Sequence, residues 1–131
     1  MIILDNRQQL SKTRYDYLIM NANKCYNESD YIQCSEKIYG ALTAGVNFKS
    51  SVELATTEDK KSQFKIELTK LHSIDNNLKG EMIKKGFYND KDVFESILDL
   101  HKYFYGATDL NKNLLKYQLP FFIQILERFQ N

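Results

Sequence analysis

Asp30-Tyr31-Ile32-Gln33-Cys34-Ser35-Glu36-Lys37-Ile38-Tyr39-Gly40-Ala41-Leu42-Thr43-Ala44-Gly45-Val46-Asn47-Phe48 is the stretch that decides the fold. Asp30 with Gln33 three residues on is a helix-start signature, because the carboxylate can accept from the backbone N–H of the third helical residue. At about 100° per residue, Cys34, Ile38, Ala41, Leu42, Gly45, Phe48 and Val52 then share one apolar stripe. The opposite side carries Gly40, Ala44, Asn47 and Ser51. Each glycine inside a helix costs about 1 kcal/mol relative to alanine, a cost best understood where something packs closely on the backbone. The stretch therefore predicts one of two things. Either this helix is covered on two sides, by its own domain and by a partner subunit at Gly40, Ala44 and Asn47, or it has a solvated small-residue face.

The same periodicity extends outward along the chain. Asp5 and Gln8 form a capping-box variant that opens a helix over about 6–27, with Leu10, Tyr17, Leu18, Ala22 and Cys25 expected on one side. Thr56-Thr57-Glu58-Asp59 caps a third helix, expected over about 58–79 and stopped at Gly80, with Phe64, Leu68, Leu71, Ile74 and Leu78 inward. Asn89-Asp90 caps a fourth over about 91–105, with Val93, Ile97, Leu100 and Phe104 as its stripe and Gly106 as its end. A last helix is expected from Thr108-Asp109, with Leu110, Leu114, Tyr117 and Phe121 and then Phe122, Ile125, Leu126 and Phe129. Pro120 lacks an N–H and disfavours helical angles at Leu119, so a kink or break is expected there. Residues 1–4 read as a short extended arm or a frayed end. A single proline and five glycines favour long helices over many strands. The fold class is all-α, an antiparallel bundle of about five helices in one domain over residues 1–131.

Composition narrows the function. Net charge is +1, from 18 Lys+Arg against 17 Asp+Glu, too small for strong sequence-independent nucleic-acid binding. The 43% hydrophobic and 13% aromatic content excludes a disordered chain. No run approaches the ~18–20 apolar residues of a membrane span, and Met1-Ile2-Ile3-Leu4-Asp5 lacks the regions of a signal peptide. A cytoplasmic location without a membrane partner is expected. Cys25 and Cys34 flank the turn-like Asn27-Glu28-Ser29-Asp30. They are geometrically able to form a disulfide, but free thiols are the expectation in that compartment. No Cys-x-x-Cys pair exists, so no zinc site and no cofactor are predicted.

Phosphate-loop, nucleophile-elbow, zinc-protease and calcium-loop motifs are all missing. Among single residues, His101 is the most informative: it falls on an apolar stripe beside Ile97 and Phe94. It reads either as a hydrogen-bonded core histidine or as a ligand or catalytic group. His72 reads as a helix-surface residue or a second catalytic candidate. Gln33, Glu36 and Lys37 are dense in polar groups, a solvated surface or a polar cleft, and Lys37 could snorkel across the next helix. Lys60, Lys61, Lys65, Lys70, Lys79, Lys84 and Lys85 form a mild basic patch, a solvated face or a site for an anionic partner. With nine tyrosines, buried hydroxyl-to-carboxylate bonds are expected.

The run from Asp30 to Ala41 resembles the archaeal PaREP-type family (first type), in which a second helix carries a Gln-small-Ser-Glu-Lys run. Leu100-His101-Lys102-Tyr103-Phe104-Tyr105 resembles that family's Leu-His-x-x-Phe-His/Tyr stretch. The family is in turn similar to the HEPN superfamily of helical bundles, which often dimerise and include toxin-like ribonucleases with an arginine and a histidine separated by four to six residues. Here Phe94, Glu95 and Ser96 precede His101 and Lys65, Ile66 and Glu67 precede His72, so no arginine occupies the motif. The resemblance implies a non-enzymatic, homo-oligomeric (dimeric) interaction or regulatory module. Weak nucleotide or RNA binding is expected near Gln33, Glu36, Lys37, His101 and Tyr105. The alternatives are a metal-independent ribonuclease with a shifted histidine site, and an antitoxin or adaptor that needs a protein partner.

Overall fold

The computed structural model describes residues 3–130. Among them are six α-helices and a closing 3₁₀ turn: α1 (Asn6–Asn27), α2 (Tyr31–Lys49), α3 (Thr57–Ile74), α4 (Leu78–Lys84), α5 (Asp90–Phe104), α6 (Lys112–Glu127) and Arg128–Gln130. The expected start residues act as read. Asp5 and Gln8 make a reciprocal capping box, and Asp30, Thr56 and Asn89 accept from the third helical N–H of α2, α3 and α5. The expected arm at residues 1–4 lies partly outside the described residues; Ile3 is exposed and Leu4 packs against the core.

α1 and α2 form an antiparallel hairpin. The start of α1 grips the end of α2: Arg7 donates to the carbonyls of Asn47 (2.8 Å) and Ser50 (2.5 Å), and Gln8 to those of Phe48 and Ser50. These bonds satisfy carbonyls that a helix end leaves without partners, and Arg7 brings a positive charge to the negative end. α2 therefore stops at Lys49, and Val52, expected in its stripe, is exposed.

Helix α2 packs against α1, α3, α5 and α6. Its small-residue side is covered by α1 of the same chain. A Cβ at Gly40 would lie 3.0 Å from Leu18 Cδ1, and one at Gly45 would lie 3.2 Å from both Tyr15 and Phe129. Ala44 is buried, and Asn47 is half-buried with its side-chain oxygen accepting from the Leu54 N–H. The close approach that suggested a partner subunit at Gly40, Ala44 and Asn47 is thus supplied from within.

Four expectations are corrected. First, the inward residues of α1 are Tyr15, Leu18, Ile19 and Ala22, whereas Leu10 and Tyr17 face outward. Second, the third helix ends at Ile74. The Asp75 side chain accepts from the Asn77 N–H and from Arg128, and a separate α4 runs through Gly80, burying Leu78 and Met82. Ile74 is exposed, and the stop comes at Gly86, whose φ of 95° closes a turn in which Phe87 donates to Met82 and Gly86 to Ile83. Third, the last helix starts at Lys112, capped by Asn111, and rotates Leu114 and Tyr117 outward in favour of Leu115 and Leu119. Fourth, Pro120 does not break α6. The carbonyl it cannot reach, four residues back at Lys116, accepts instead from the Tyr26 hydroxyl at 3.1 Å.

Tyrosine hydroxyls also differ from expectation. Tyr15, fully buried, donates to the Leu126 carbonyl, and Tyr26 and Tyr117 donate to carbonyls as well, not to carboxylates.

Ser29 ends α1 at φ 60°, doing the work that Gly86 and Gly106 do elsewhere, and a side chain there is strained. Ser29→Gly is expected to raise unfolding free energy by about 0.5–1 kcal/mol in urea melts, after the extra entropy of glycine is discounted. Tyr26→Phe should cost about 1 kcal/mol. Pro120→Ala should stabilise by about 1–3 kcal/mol by restoring the helical N–H. In the Pro120→Ala background the Tyr26→Phe cost should vanish; strictly additive effects would show that the hydroxyl does not replace the missing donor.

Candidate functional site

Two histidine–carboxylate pairs join helix to helix in this bundle. His101, in the last turn of α5, meets Glu36, in the second turn of α2, because those two helix ends lie together. His101 Nδ1 and Glu36 Oε2 are 3.0 Å apart, with side chains 33% and 25% exposed. The imidazole stacks on Tyr39 with ring centres 4.1 Å apart and meets the edge of Tyr105 at 4.9 Å. Glu36 and Tyr39 are three residues apart on α2, and Tyr105, which caps the end of α5, follows His101 by four, so each helix brings two members of the cluster to one face. A carboxylate only accepts, so Nδ1 carries the hydrogen of this pair, and in a neutral imidazole Nε2 is then the acceptor. Burial pushes the Tyr39 phenol up, and the Glu36 charge adds to the effect.

The structure thus brings together Glu36, His101 and Tyr105 from the expected set and adds Tyr39. His101 sits at the margin of the core, not inside it. Gln33 is exposed, its backbone N–H engaged by the Asp30 cap, and Lys37 is half-buried; neither bonds to the cluster. Tyr39 could have been read from the sequence, since it stands three residues from Glu36. Its stacking partner could not, because His101 is far along the chain.

The second pair is more enclosed. His72 Nε2 and Asp90 Oδ1 are 2.7 Å apart, with side chains 12% and 16% exposed. His72 is therefore not the surface residue that one reading of its helix suggests. With Nε2 donating to Asp90, Nδ1 is left buried with no partner, a cost of about 1–3 kcal/mol unless one reaches it. Asp90 is the first residue of α5 and sits against the end of α3. Both residues line a cavity of about 520 Å³ that also carries Lys65, Lys79 and Lys91. Other lysines of the basic patch are engaged. Lys61 reaches Glu95 at 2.9 Å, Lys70 reaches the buried Glu67 at 3.4 Å, and Lys85 lies 3.7 Å from the Tyr117 ring centre. Glu67 was legible only as one more surface charge; Lys49 and Gln63 hold it in the interior.

The arginines stand apart from both histidines' hydrogen bonds. Arg7 holds the end of α2, Arg128 pairs with Asp75 at 2.8 Å, and Arg14 is exposed on α1. The Arg128 guanidinium holds the Asp75 carboxyl below the usual carboxylate range. Both cysteines are free thiols. Cys34 is fully buried against the Ala22 carbonyl, and burial pushes its thiol up to about 12. Cys25 is half-buried and shifted the same way, first by burial and then by Asp30 and Glu28. Such thiols are poor nucleophiles.

Compared with known proteins, the chain matches no family model, no curated protein and no solved structure. Among the described residues, no helix is long and apolar enough to cross a membrane.

The thiol geometry makes a direct prediction. In native protein at about pH 8, Cys34 should resist iodoacetamide for as long as the fold persists, and should react at the ordinary rate once urea unfolds the chain. Rapid native labelling of Cys34 by mass spectrometry would contradict its burial.

Proposed function

We propose that the chain is a non-enzymatic, HEPN-like helical bundle of the PaREP type, acting as a homo-oligomeric interaction module that binds a nucleotide or nucleic acid weakly. The observation that carries this is the outward face of α1. Leu10, Tyr17 and Met20 are 73%, 58% and 63% exposed and fall on one side of that helix. Burying a large apolar side chain is worth about 1.5–3 kcal/mol, so leaving three on one stripe in water is costly unless something covers them. A second copy meets the requirement: around a two-fold axis the same stripe serves both subunits, and one helix face becomes a self-complementary interface. At Gly40 the close approach is already made by Leu18 of α1.

Weak ligand binding belongs to the Tyr39–His101–Tyr105 shelf. Aromatic faces stack on bases without demanding a particular sequence. A second reading, a metal-independent ribonuclease, is favoured by the contact that orients His101. Glu36 holds the ring through Nδ1 and leaves Nε2 outside that bond, the arrangement that a general base requires. Against it, neither histidine has an arginine in its hydrogen-bonding set, and lysine does not reproduce a bidentate phosphate grip.

Light scattering at high micromolar concentration should give twice the chain mass. The double change Leu10→Glu and Tyr17→Glu should give a monomer that still melts cooperatively. A wild-type monomer would remove the oligomeric reading. RNA incubated without metal should survive both the wild type and His101→Ala; cleavage by the wild type that His101→Ala abolishes would put the ribonuclease in its place.

A further inference from the structure

The described residues hold four sulfur atoms, in Met20, Cys25, Cys34 and Met82, and the fold treats them unequally. Cys34 is fully buried, and burial pushes its thiol up to about 12. Cys25 is half-buried, and burial with Asp30 and Glu28 shifts it the same way. A thiol meets an oxidant as its thiolate, so both cysteines are suppressed by their surroundings. A thioether has no proton to lose, and only enclosure shields it. Met82 has that shield, being 2% exposed in the core. Met20 does not: it is 63% exposed on the outward side of α1.

Met20 also stands where its polarity matters. At about 100° per residue, Leu10, Thr13, Tyr17, Met20 and Lys24 share the outward side of α1. Oxidation turns a soft, apolar sulfur into a sulfoxide whose oxygen is a strong acceptor. Inside an apolar contact that oxygen loses its water and must find a donor. The Thr13 hydroxyl is already given to the Gln9 carbonyl, and Lys12 is held by Asp16 at 2.8 Å. Lys24 is exposed in the last turn, at the end of the stripe, where its ammonium keeps its hydration. Around a two-fold axis the same loss is suffered by both subunits.

We infer that Met20 is an oxidation site through which a peroxide releases the α1 contact between copies of the chain. This rests on the reading that a second copy covers α1, and it adds how that contact is broken. In a separated copy the peroxide delivers one oxygen atom to the Met20 sulfur. The O–O bond breaks, an S–O bond forms, the sulfur gives up two electrons, and the peroxide leaves as water. The oxidised copy keeps its fold, because Met20 is not among the residues of the core. It loses its partner, because its stripe now carries an oxygen that the partner leaves unpaired. Association covers the thioether in turn, so each copy slows the oxidation of the other. The sulfoxide is reducible by a dithiol-driven reductase, which makes the release reversible.

The test treats the full chain with hydrogen peroxide and follows it by peptide mapping in a mass spectrometer and by light scattering. Met20 should gain one oxygen about tenfold or more faster than Met82, and more slowly as protein concentration rises. The mass should fall from two chains to one, with the dissociation constant raised about a hundredfold, roughly tenfold for each subunit. The melt should stay cooperative. Met20→Leu conserves volume and cannot be oxidised. It should associate as the wild type does and keep its mass through the same treatment. Methionine sulfoxide reductase with dithiothreitol should restore the dimer from oxidised wild type.

Oxidation of Met20 that leaves the association unchanged would overturn the inference. So would dissociation of Met20→Leu by peroxide, which would place the effect on another residue, or equal rates at Met20 and Met82. A non-cooperative melt of the oxidised chain would overturn it as well, since the protein would then be damaged and not released. The two readings fail separately. A reduced wild type with the mass of one chain removes the oligomeric reading, and the release with it. A reduced dimer that peroxide does not dissociate removes only the release.

Discussion

Bare backbone at Gly45 is the constraint on which the bundle depends. Tyr15 of α1 and Phe129 of the closing turn both reach it, each within 3.2 Å of where a Cβ would stand. Tyr15 lies flat against α2 and donates its hydroxyl to the Leu126 carbonyl, so one side chain joins the first helix, the central helix and the end of the last. Burial drives the Tyr15 phenol far above its ordinary value, which keeps it a neutral donor. A larger residue at position 45 would push α1 and the C-terminal turn away together, because a packed interior has no slack to absorb it. Phe64 and Phe94 extend the same contact toward α3 and α5 through tilted ring pairs with Phe129 and with each other.

The helix ends show how a short chain satisfies its backbone. Local side chains cap the starts of α1, α2, α3 and α5, and left-handed residues close the ends of α1, α4 and α5. Where no local device exists, a distant one serves. Arg7 and Gln8 take the last carbonyls of α2, and Tyr26 takes the carbonyl that Pro120 leaves open in α6. These long-range donors lock helix pairs as well as satisfying polar groups, which is why α6 can tolerate a proline in its interior.

Both histidines sit where two helix ends meet, and both are held by a carboxylate from the other helix. The similarity ends there. His101 is half-exposed on an aromatic shelf with a free Nε2, whereas His72 is enclosed beside a lysine-lined cavity with its Nδ1 unpartnered. The bundle thereby separates an exposed stacking surface from a concave one. The outward apolar face of α1 is a third surface, distinct from both.

What could be read from residues alone was what neighbours within a turn decide. Asp5, Asp30, Thr56 and Asn89 act over three residues, so the starts of four helices were legible; Gly106 acts over five and was legible too. The periodicity of α2 and α5 named most of their buried residues, in α5 because it has one dominant apolar stripe and in α2 because other helices cover most of its circumference. That of α1 did not, since Leu10 and Tyr17 on one face and Tyr15, Leu18, Ile19 and Ala22 on the other both follow helical spacing. Only the partner helix chooses between two such faces. The same holds for the site. Glu36, His101 and Tyr105 were nameable as polar or aromatic residues on a helix, but Glu36 meeting His101, 65 residues away, and His72 meeting Asp90 are outcomes of how helices cross. Capping and helical periodicity are short-range, so the residues alone were enough for an all-helical chain and for the starts of four of its six helices. The tertiary structure alone decided which face of α1 is inside, that Pro120 stays helical and which residues share a cavity. Those depend on contacts between segments far apart in the chain, whose approach no local pattern encodes.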